Sequence, residues 1–201
     1  MFLERVRKVQ EMRQNSSDAG TRRLAASPTL FRETNNPESA IVVPEVSSQN
    51  RRYVPIGFIN QDVICTNKLQ IIPNGTLYHF GVLIYNVHMS WMRAVCGRLK
   101  SDYDYSQKIV YNNFPWPTPT DVQKAKIEQT AQAILDARAL YPDSSLAELY
   151  DETTMPPELR KAHQQNDRAV MQAYGFSVKD MTESKCVAEL MKLYQKLTEK
   201  Q

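Results

Sequence analysis

Three cysteines and three histidines in 201 residues leave little material for disulfide or metal chemistry. Cys65, Cys96 and Cys186 are far apart and odd in number. No two of them stand at metal-ligand spacing, and His79, His88 and His163 do not cluster with them. The pattern predicts buried, reduced thiols in an intracellular protein. Glycine is also scarce, six in all, and none builds a Walker-type phosphate loop. A Gly-x-Ser-x-Gly elbow and a His-Glu-x-x-His helix are absent too. The scattered carboxylates assemble into no nuclease pattern. No stretch reaches the roughly 18 apolar residues of a membrane span. The nearest, residues 77–95, is interrupted by His79, Asn86, His88 and Arg93. The N-terminal MFLERVRKVQEMRQ is charged throughout, unlike a secretion signal. Together these absences predict a cytoplasmic chain with no membrane contact, no metal, no bound cofactor and no catalytic centre of its own. No internal repeat is found.

What is present is a core and an uneven charge. Hydrophobic residues make up 42% of the chain, enough for a packed interior. Net charge is only +3, so the whole chain is not a polybasic nucleic-acid binder. Residues 1–120 hold 14 Lys and Arg against 9 Asp and Glu, whereas residues 121–201 hold 11 against 13. The positive excess lies in the first part, which predicts a phosphate-facing half followed by a neutral one.

Hydrophobic periodicity and turn chemistry divide the chain. Residues 2–14 read as a short helix with no capping residue, as though a longer helix had been cut. Residues 15–40 are polar and read as a mobile loop or linker. Short β-branched or aromatic runs at 41–43, 53–58, 63–66 and 69–72, separated by turn signals, predict a small sheet. Thr76 is placed to cap a helix over 77–98, with Phe80, Ile84, Val87, Trp91 and Val95 on one stripe and Gly97 at its stop. Ile109, Val110 and Tyr111 favour a strand over 106–111. The proline-bracketed segment 114–119 continues neither element and marks a joint. Beyond it only helices are expected: 122–140 capped by Asp121, a short one at 146–150, one from Pro156-Pro157 to about 174 stopped by Gly175, and one from Thr182 to about 197. The predicted fold is α+β. It comprises an N-terminal helix and linker at 1–40, a lobe of small mixed sheet and helices at 41–117, and an all-helical lobe at 118–201. Leu146, Leu149, Leu159, Val170 and Tyr174 are expected in the core of that helical lobe.

Two stretches carry recognisable chemistry. Residues 88–117, HMSWMRAVCGRLKSDYDYSQKIVYNNFPWP, combine Arg93, Arg98, Lys100 and Lys108 with Tyr103, Tyr105 and Tyr111. Lys100 and Asp102 can lie on one side of an extended segment. A lysine suits the O6/N7 acceptors of guanine, and an aspartate suits the exocyclic amine of cytosine. An ordinary surface ion pair is the competing reading. The second stretch, Ser47-Ser48-x-Asn50-Arg51-Arg52-Tyr53, sets hydroxyls, an amide and guanidiniums before a strand. These are common phosphate-contacting groups, and a polar turn with solvated arginines is the alternative. Arg93 and Arg98 read as phosphate anchors or surface charges. Tyr103 and Tyr105 read as sheet packing or as sugar and phosphate contacts. Trp91, Met92 and His88 read as core.

The chain resembles the MmeI-type restriction–modification DNA adenine methyltransferases. The resemblance runs from about Arg22 to Phe176. It rests on the Ser47-to-Tyr53 string continued through Pro55, Gly57 and Phe58, on Ala94-Val95-x-Gly97-Arg98-Leu99, and on Asn112-x-Phe114-Pro115-x-Pro117. In the second half it rests on three further strings: Leu140-Tyr141-Pro142-x-Ser144-Ser145-Leu146-Ala147-x-Leu149-Tyr150-Asp151, then Thr154-Met155-Pro156-Pro157-x-Leu159-x-Lys161-Ala162-His163, then Asp167-x-Ala169-Val170-x-x-Ala173-Tyr174-Gly175-Phe176. The resemblance implies part of a target-recognition domain plus a helical C-terminal domain, working on double-stranded DNA beside a methyltransferase core. It implies Lys100 and Asp102 as base readers and Ser47, Ser48, Arg51 and Arg52 as backbone contacts, and adjacency to these adds Arg93, Arg98, Tyr103 and Tyr105 as candidate backbone contacts. The implied parent methylates adenine N6 with S-adenosylmethionine. The Gly-rich turn and the Asn-Pro-Pro-Tyr loop of that reaction are absent, so the chain reads as a C-terminal fragment. The competing reading is a helical protein-interaction adaptor without DNA binding.

Overall fold

Helix α1 (Phe2–Gln14) forms as its pattern predicts, but it buries none of its residues. A computed structural model describes residues 1–32 and 36–199. Residues 1–36 make one compact unit and residues 37–201 a second. In the first, the stretch expected to be a loop carries a short helix, α2 (Ala19–Arg23), and a 3-10 turn (Leu24–Ala26). Asp18 explains the helix: its carboxylate accepts from the Thr21 N–H at 2.6 Å and from the Thr21 hydroxyl at 2.8 Å. Those two hydrogen bonds hold the Asp18 carboxyl below its usual range. Arg13 donates to the carbonyls of Leu24, Ser27 and Leu30, closing the turn back onto α1. Residues 33–35 of the expected linker lie outside the described residues.

The second unit holds two three-stranded antiparallel sheets. In one, β1 (Ser39–Pro44) lies at the centre, and β2 (Val46–Ser47) follows it into the other sheet. β3 (Gly57–Asn60) and β4 (Leu69–Pro73) flank β1, with Ile41 opposite both Phe58 and Ile72. Residues 63–66 form no strand. Their apolar side chains have no sheet neighbour to bury them, and Val63 and Ile64 stay exposed.

The expected single helix over 77–98 is two helices, α3 (Leu77–Leu83) and α4 (Asn86–Val95). The stripe itself holds, with Phe80, Ile84, Val87 and Trp91 all buried. The break at Ile84–Tyr85 comes from a distant partner: the carboxylate of Asp167 accepts the Asn86 N–H at 3.3 Å, capping α4 from outside. Gly97 is no helix stop. It opens β5 (Gly97–Leu99), which pairs with β6 (Asp102–Asp104) in a hairpin, and β2 pairs with β6 on the other side. Residues expected as a strand at 106–111 form a π-helical turn (Gln107–Tyr111) instead. The Trp91 indole donates to the Val110 carbonyl at 2.9 Å within this turn, and Val110 is fully buried.

The helical part follows its local signals closely. α5 (Asp121–Ala139) is capped by Thr120 rather than Asp121, in a reciprocal box with Gln123. α6 (Leu146–Leu149) follows Ser145, which forms the same box with Glu148. α7 (Pro157–Tyr174) starts after Pro156 and stops at Gly175, whose φ of +71° is left-handed. α8 (Glu183–Thr198) is capped by Thr182. Leu149, Leu159 and Val170 are buried as expected, whereas Leu146 is 38% exposed and Tyr174 is only partly covered. Leu146 opens the one-turn helix at the molecular edge, and its side chain covers Gly57 of β3 while staying partly solvated.

Sheets and helices share one core. α3 approaches α5 closely at Gly81, where an added Cβ would meet Ile127 Cγ2 at 2.7 Å. Asn166 of α7 donates to the Gly81 carbonyl at 2.8 Å and accepts from Thr130 of α5 at 3.0 Å. Arg138 reaches from α5 to the Ile56 carbonyl at 2.9 Å and to the Tyr150 hydroxyl, which meets His163 Nε2 at 2.8 Å. His163 in turn stacks on Tyr53, ring centroids 4.1 Å apart. Burial holds His163 well below its usual pKa, so the ring packs neutral.

Candidate nucleic-acid interface

The β5–β6 hairpin places the two predicted base readers. Its register pairs Leu99 with Asp102, leaving Lys100 and Ser101 as a two-residue loop. Lys100 has φ +58°, a conformation that hairpin loops demand and that L-residues rarely adopt. Lys100 and Asp102 therefore do not lie along one extended segment. The lysine sits at the turn and the aspartate opens the next strand. Among the described residues no ion pair within 4.0 Å joins them, so the surface-pair reading is not met. Asp102 Oδ1 instead accepts the Gln49 backbone N–H at 3.3 Å. That bond joins the hairpin to the Ser47–Tyr53 string, since β2 ends in Ser47, which pairs with Tyr103.

The string opens onto a concavity of about 410 Å³, lined by Gln49, Asn50, Arg51, Arg52, Asn86, Arg93, Tyr103, Glu152 and Glu183. Three of the predicted phosphate-contacting cations thus come together in one place. Ser48 shapes the approach, accepting the Asn50 N–H at 3.3 Å on its hydroxyl and the Arg51 N–H at 3.1 Å on its carbonyl. Arg93 is engaged rather than open. Its Nε donates to Glu183 Oε1 at 2.5 Å and its Nη2 to Asn86 Oδ1 at 3.4 Å. Arg98 lies outside this concavity, on the hairpin, with its guanidinium over the Tyr103 ring.

Three predicted backbone contacts are placed where they have little surface. Ser47 is buried, and its hydroxyl has no partner within the protein. Tyr103 is 5% exposed and serves as sheet packing. Tyr105 is 2% exposed, and its hydroxyl meets His88 Nε2 at 3.0 Å. Burial raises the Tyr105 pKa and pushes His88 down to about 3, so both stay neutral. Side chains alternate along β6 and into the residue after it, so that 103 and 105 face the interior while Asp102 and Asp104 stay partly exposed. Tyr105 and Ser47 therefore support the surface from beneath. Trp91, Met92 and His88 are core, as read.

Residues that were not read as part of the site are Gln49, Asn86, Glu152 and Glu183. Gln49 and Asn50 stand within a legible string. Glu183 carries no local signal, because it reaches Arg93 across ninety residues of chain. Beneath the concavity, Asp167 accepts from the Tyr53 hydroxyl at 2.8 Å as well as from Asn86. Burial raises the Asp167 pKa to about 6, opposed by these hydrogen bonds and by Arg52.

The described residues contain no group of three His, Cys, Asp or Glu side chains able to hold a metal, and no helix long and apolar enough to cross a membrane. The chemistry offered is ionic and hydrogen-bonding, on a surface that pairs a hairpin tip with an arginine-lined hollow. Comparison with known proteins identifies the domains that carry this surface. Residues 1–118 match the MmeI target recognition domain and residues 119–201 the MmeI C-terminal domain. The chain belongs to the MmeI family, as its target-recognition and C-terminal parts. DNA methyltransferase A of Bacillus subtilis (strain 168) is 41% identical over 201 residues, which are 100% of this chain and 23% of that protein. The solved structure of the Type IIL restriction-modification enzyme MmeI in complex with DNA matches with a TM-score of 0.90 and 46% identity, over 98% of this chain and 26% of that one. The chain thus spans about a quarter of the length of these relatives.

Proposed function

We propose that the chain is the sequence-reading part of a restriction–modification DNA methyltransferase and docks on double-stranded DNA. The observation that carries the reading is the hairpin. A lysine at positive φ tips it, an aspartate opens its second strand, and a backbone bond ties that aspartate to an arginine-bearing string. The two-residue turn sets the positive φ of Lys100, and that geometry puts the lysine at the tip of the hairpin. Lys100 donates to a guanine and Asp102 accepts from its partner cytosine. Arg51, Arg52 and Arg93 face phosphates, which fix register but carry little sequence information. That one relative is a DNA methyltransferase and another binds DNA supports this assignment.

The parent protein transfers a methyl group from S-adenosylmethionine to adenine N6. The Gly-rich turn that such a donor needs is not in this sequence. The six glycines stand singly. Donor and reaction therefore belong to the methyltransferase core of the same polypeptide, with which this part would work.

The test is electrostatic. Duplex-DNA retention of the full-length protein is followed across about 50 to 200 mM salt. Replacing Arg51 and Arg52 together with alanine lowers the slope of log affinity against log salt by about two, one per lost phosphate contact. A slope equal to that of the wild type removes these arginines from the interface, and a wild type that shows no salt-dependent retention favours the adaptor reading.

A further inference from the structure

Arg98 stands apart from the arginines of the concavity. Its guanidinium carbon lies 4.1 Å from the centroid of the Tyr103 ring, and its Nη1 donates to the Ser101 carbonyl at 2.9 Å. Arg98 and Tyr103 are direct partners across β5 and β6, so the stacked pair sits on one face of the hairpin. Tyr103 is a firm base for it, nearly buried and paired on its other side with Ser47. Ser101 is the second residue of the loop whose first residue is Lys100. The same side chain thus grips both the strand platform and the turn.

The turn needs such a grip. Lys100 holds φ +58° without the freedom of glycine, a strained conformation that the Leu99–Asp102 pairing imposes on the two-residue turn. We infer that Arg98 is a positioning residue for specificity: it clamps the Lys100–Ser101 turn onto Tyr103 and so fixes the direction in which Lys100 meets a base edge. The inference rests on the proposed role of Lys100 and Asp102 in base reading. It replaces the expectation that Arg98 is a phosphate anchor. The two roles ask for different chemistry. A phosphate contact needs a cation, which lysine supplies. A clamp needs a flat guanidinium that stacks and donates at once, which lysine cannot supply.

The experiment compares Arg98→Ala, Arg98→Lys and Lys100→Ala in the full-length protein. Each is selected against a pool of duplexes randomised over a central window, and the retained pool is sequenced at two salt concentrations. Amide hydrogen exchange of residues 99–103 is measured on each variant without DNA. The clamp predicts that both Arg98 variants speed exchange at Lys100 and Ser101. It also predicts that both broaden the base preference at the one position that Lys100→Ala broadens, by about threefold or more, with an unchanged salt slope. Two results overturn it. In one, Arg98→Ala weakens retention of all sequences alike, lowers the salt slope by about one and is restored by lysine, which makes Arg98 a phosphate anchor. In the other, exchange and preference both match the wild type. Failure of the underlying reading is separate and visible: Lys100→Ala then leaves every position unchanged, and the specificity role of Arg98 falls with it.

Discussion

At the scale of single residues, Lys100 and Arg51 make opposite predictions. Lys100→Ala relaxes the preference at one position by about 1–3 kcal/mol and leaves other positions alone. Arg51→Ala weakens binding to all sites about equally. Exchanging the charges, Lys100→Glu with Asp102→Arg, moves the preferred base on the read strand from guanine to cytosine, which mapping of methylated sequences in the full-length protein would reveal. An unaltered recognised sequence with only weaker binding would mean that neither residue reads bases. Asp167 offers a second residue-level test, through pH. Its folded pKa of about 6 lies above the ordinary aspartate value of 3.8, so the folded state favours the protonated form. Its contribution is full below about pH 4 and lost as pH rises through about 6. Other carboxylates with depressed pKa, such as Glu148 and Asp151, act in the opposite sense. The difference between wild type and Asp167→Asn isolates the group. The variant should gain on the wild type between pH 4 and 7, by at most roughly 3 kcal/mol. Urea melts showing a pH-independent difference would contradict this.

At the scale of elements, α8 governs how open the arginine hollow is. Glu183 is the first residue of α8 and holds Arg93, the group proposed to meet a phosphate. Both side chains are partly solvated, 21% and 54% exposed, so the pair is worth no more than about 1 kcal/mol. Glu183→Gln should therefore tighten DNA binding modestly, most at low salt, and scarcely alter stability. Weaker binding by this variant would show that Glu183 orients Arg93 for its contact rather than competing with phosphate. α6 makes the complementary case for packing. Leu149 is 4% exposed and Leu146, three residues earlier, is 38% exposed. Leu149→Ala should cost about 2–5 kcal/mol in a melting curve and Leu146→Ala far less. Equal effects would mean that the facing of this one-turn helix is wrong.

At the scale of the whole molecule, residues 37–199 should unfold as one cooperative body, because helices and sheets share their buried groups. Gly81 is the pivot of α3 on α5. A methyl there meets Ile127 and Ala131 at once, so Gly81→Ala should destabilise by about 1–3 kcal/mol. The loss should appear as a single shifted transition rather than as a separate melting of the helical part. Two resolved transitions would show that the sheets and helices unfold independently. In the bound state, protection from hydrogen exchange by DNA should concentrate between residues 47 and 111 and spare residues 186–194 of α8. Protection confined to the helices would place the interface elsewhere.

What the sequence determined alone was whatever a few neighbouring residues decide. α5, α7 and α8 begin and end where caps, a proline pair and Gly175 place them, since those signals act within one turn of helix. The Ser47–Tyr53 string and the Gly97–Asp102 stretch were legible for the same reason, as ordered side-chain chemistry. The remaining features depended on partners far away in the chain. The 77–98 stripe is continuous, yet Asp167 breaks the helix by capping Asn86 from another element. The β-branched residues at 109–110 favour a strand, yet the Trp91 indole and the burial of Val110 hold a π-helical turn. Tyr105 carried the look of a contact residue until the alternation of β6 turned it inward onto His88. Arg93 and Arg98 look alike in sequence. Only the fold gives one a glutamate from α8 and the other an aromatic platform across a hairpin. Composition reports that a cation is present. Which oxygen or ring lies within 3 or 4 Å of it is a property of packing, because the energies that choose between such partners are non-local.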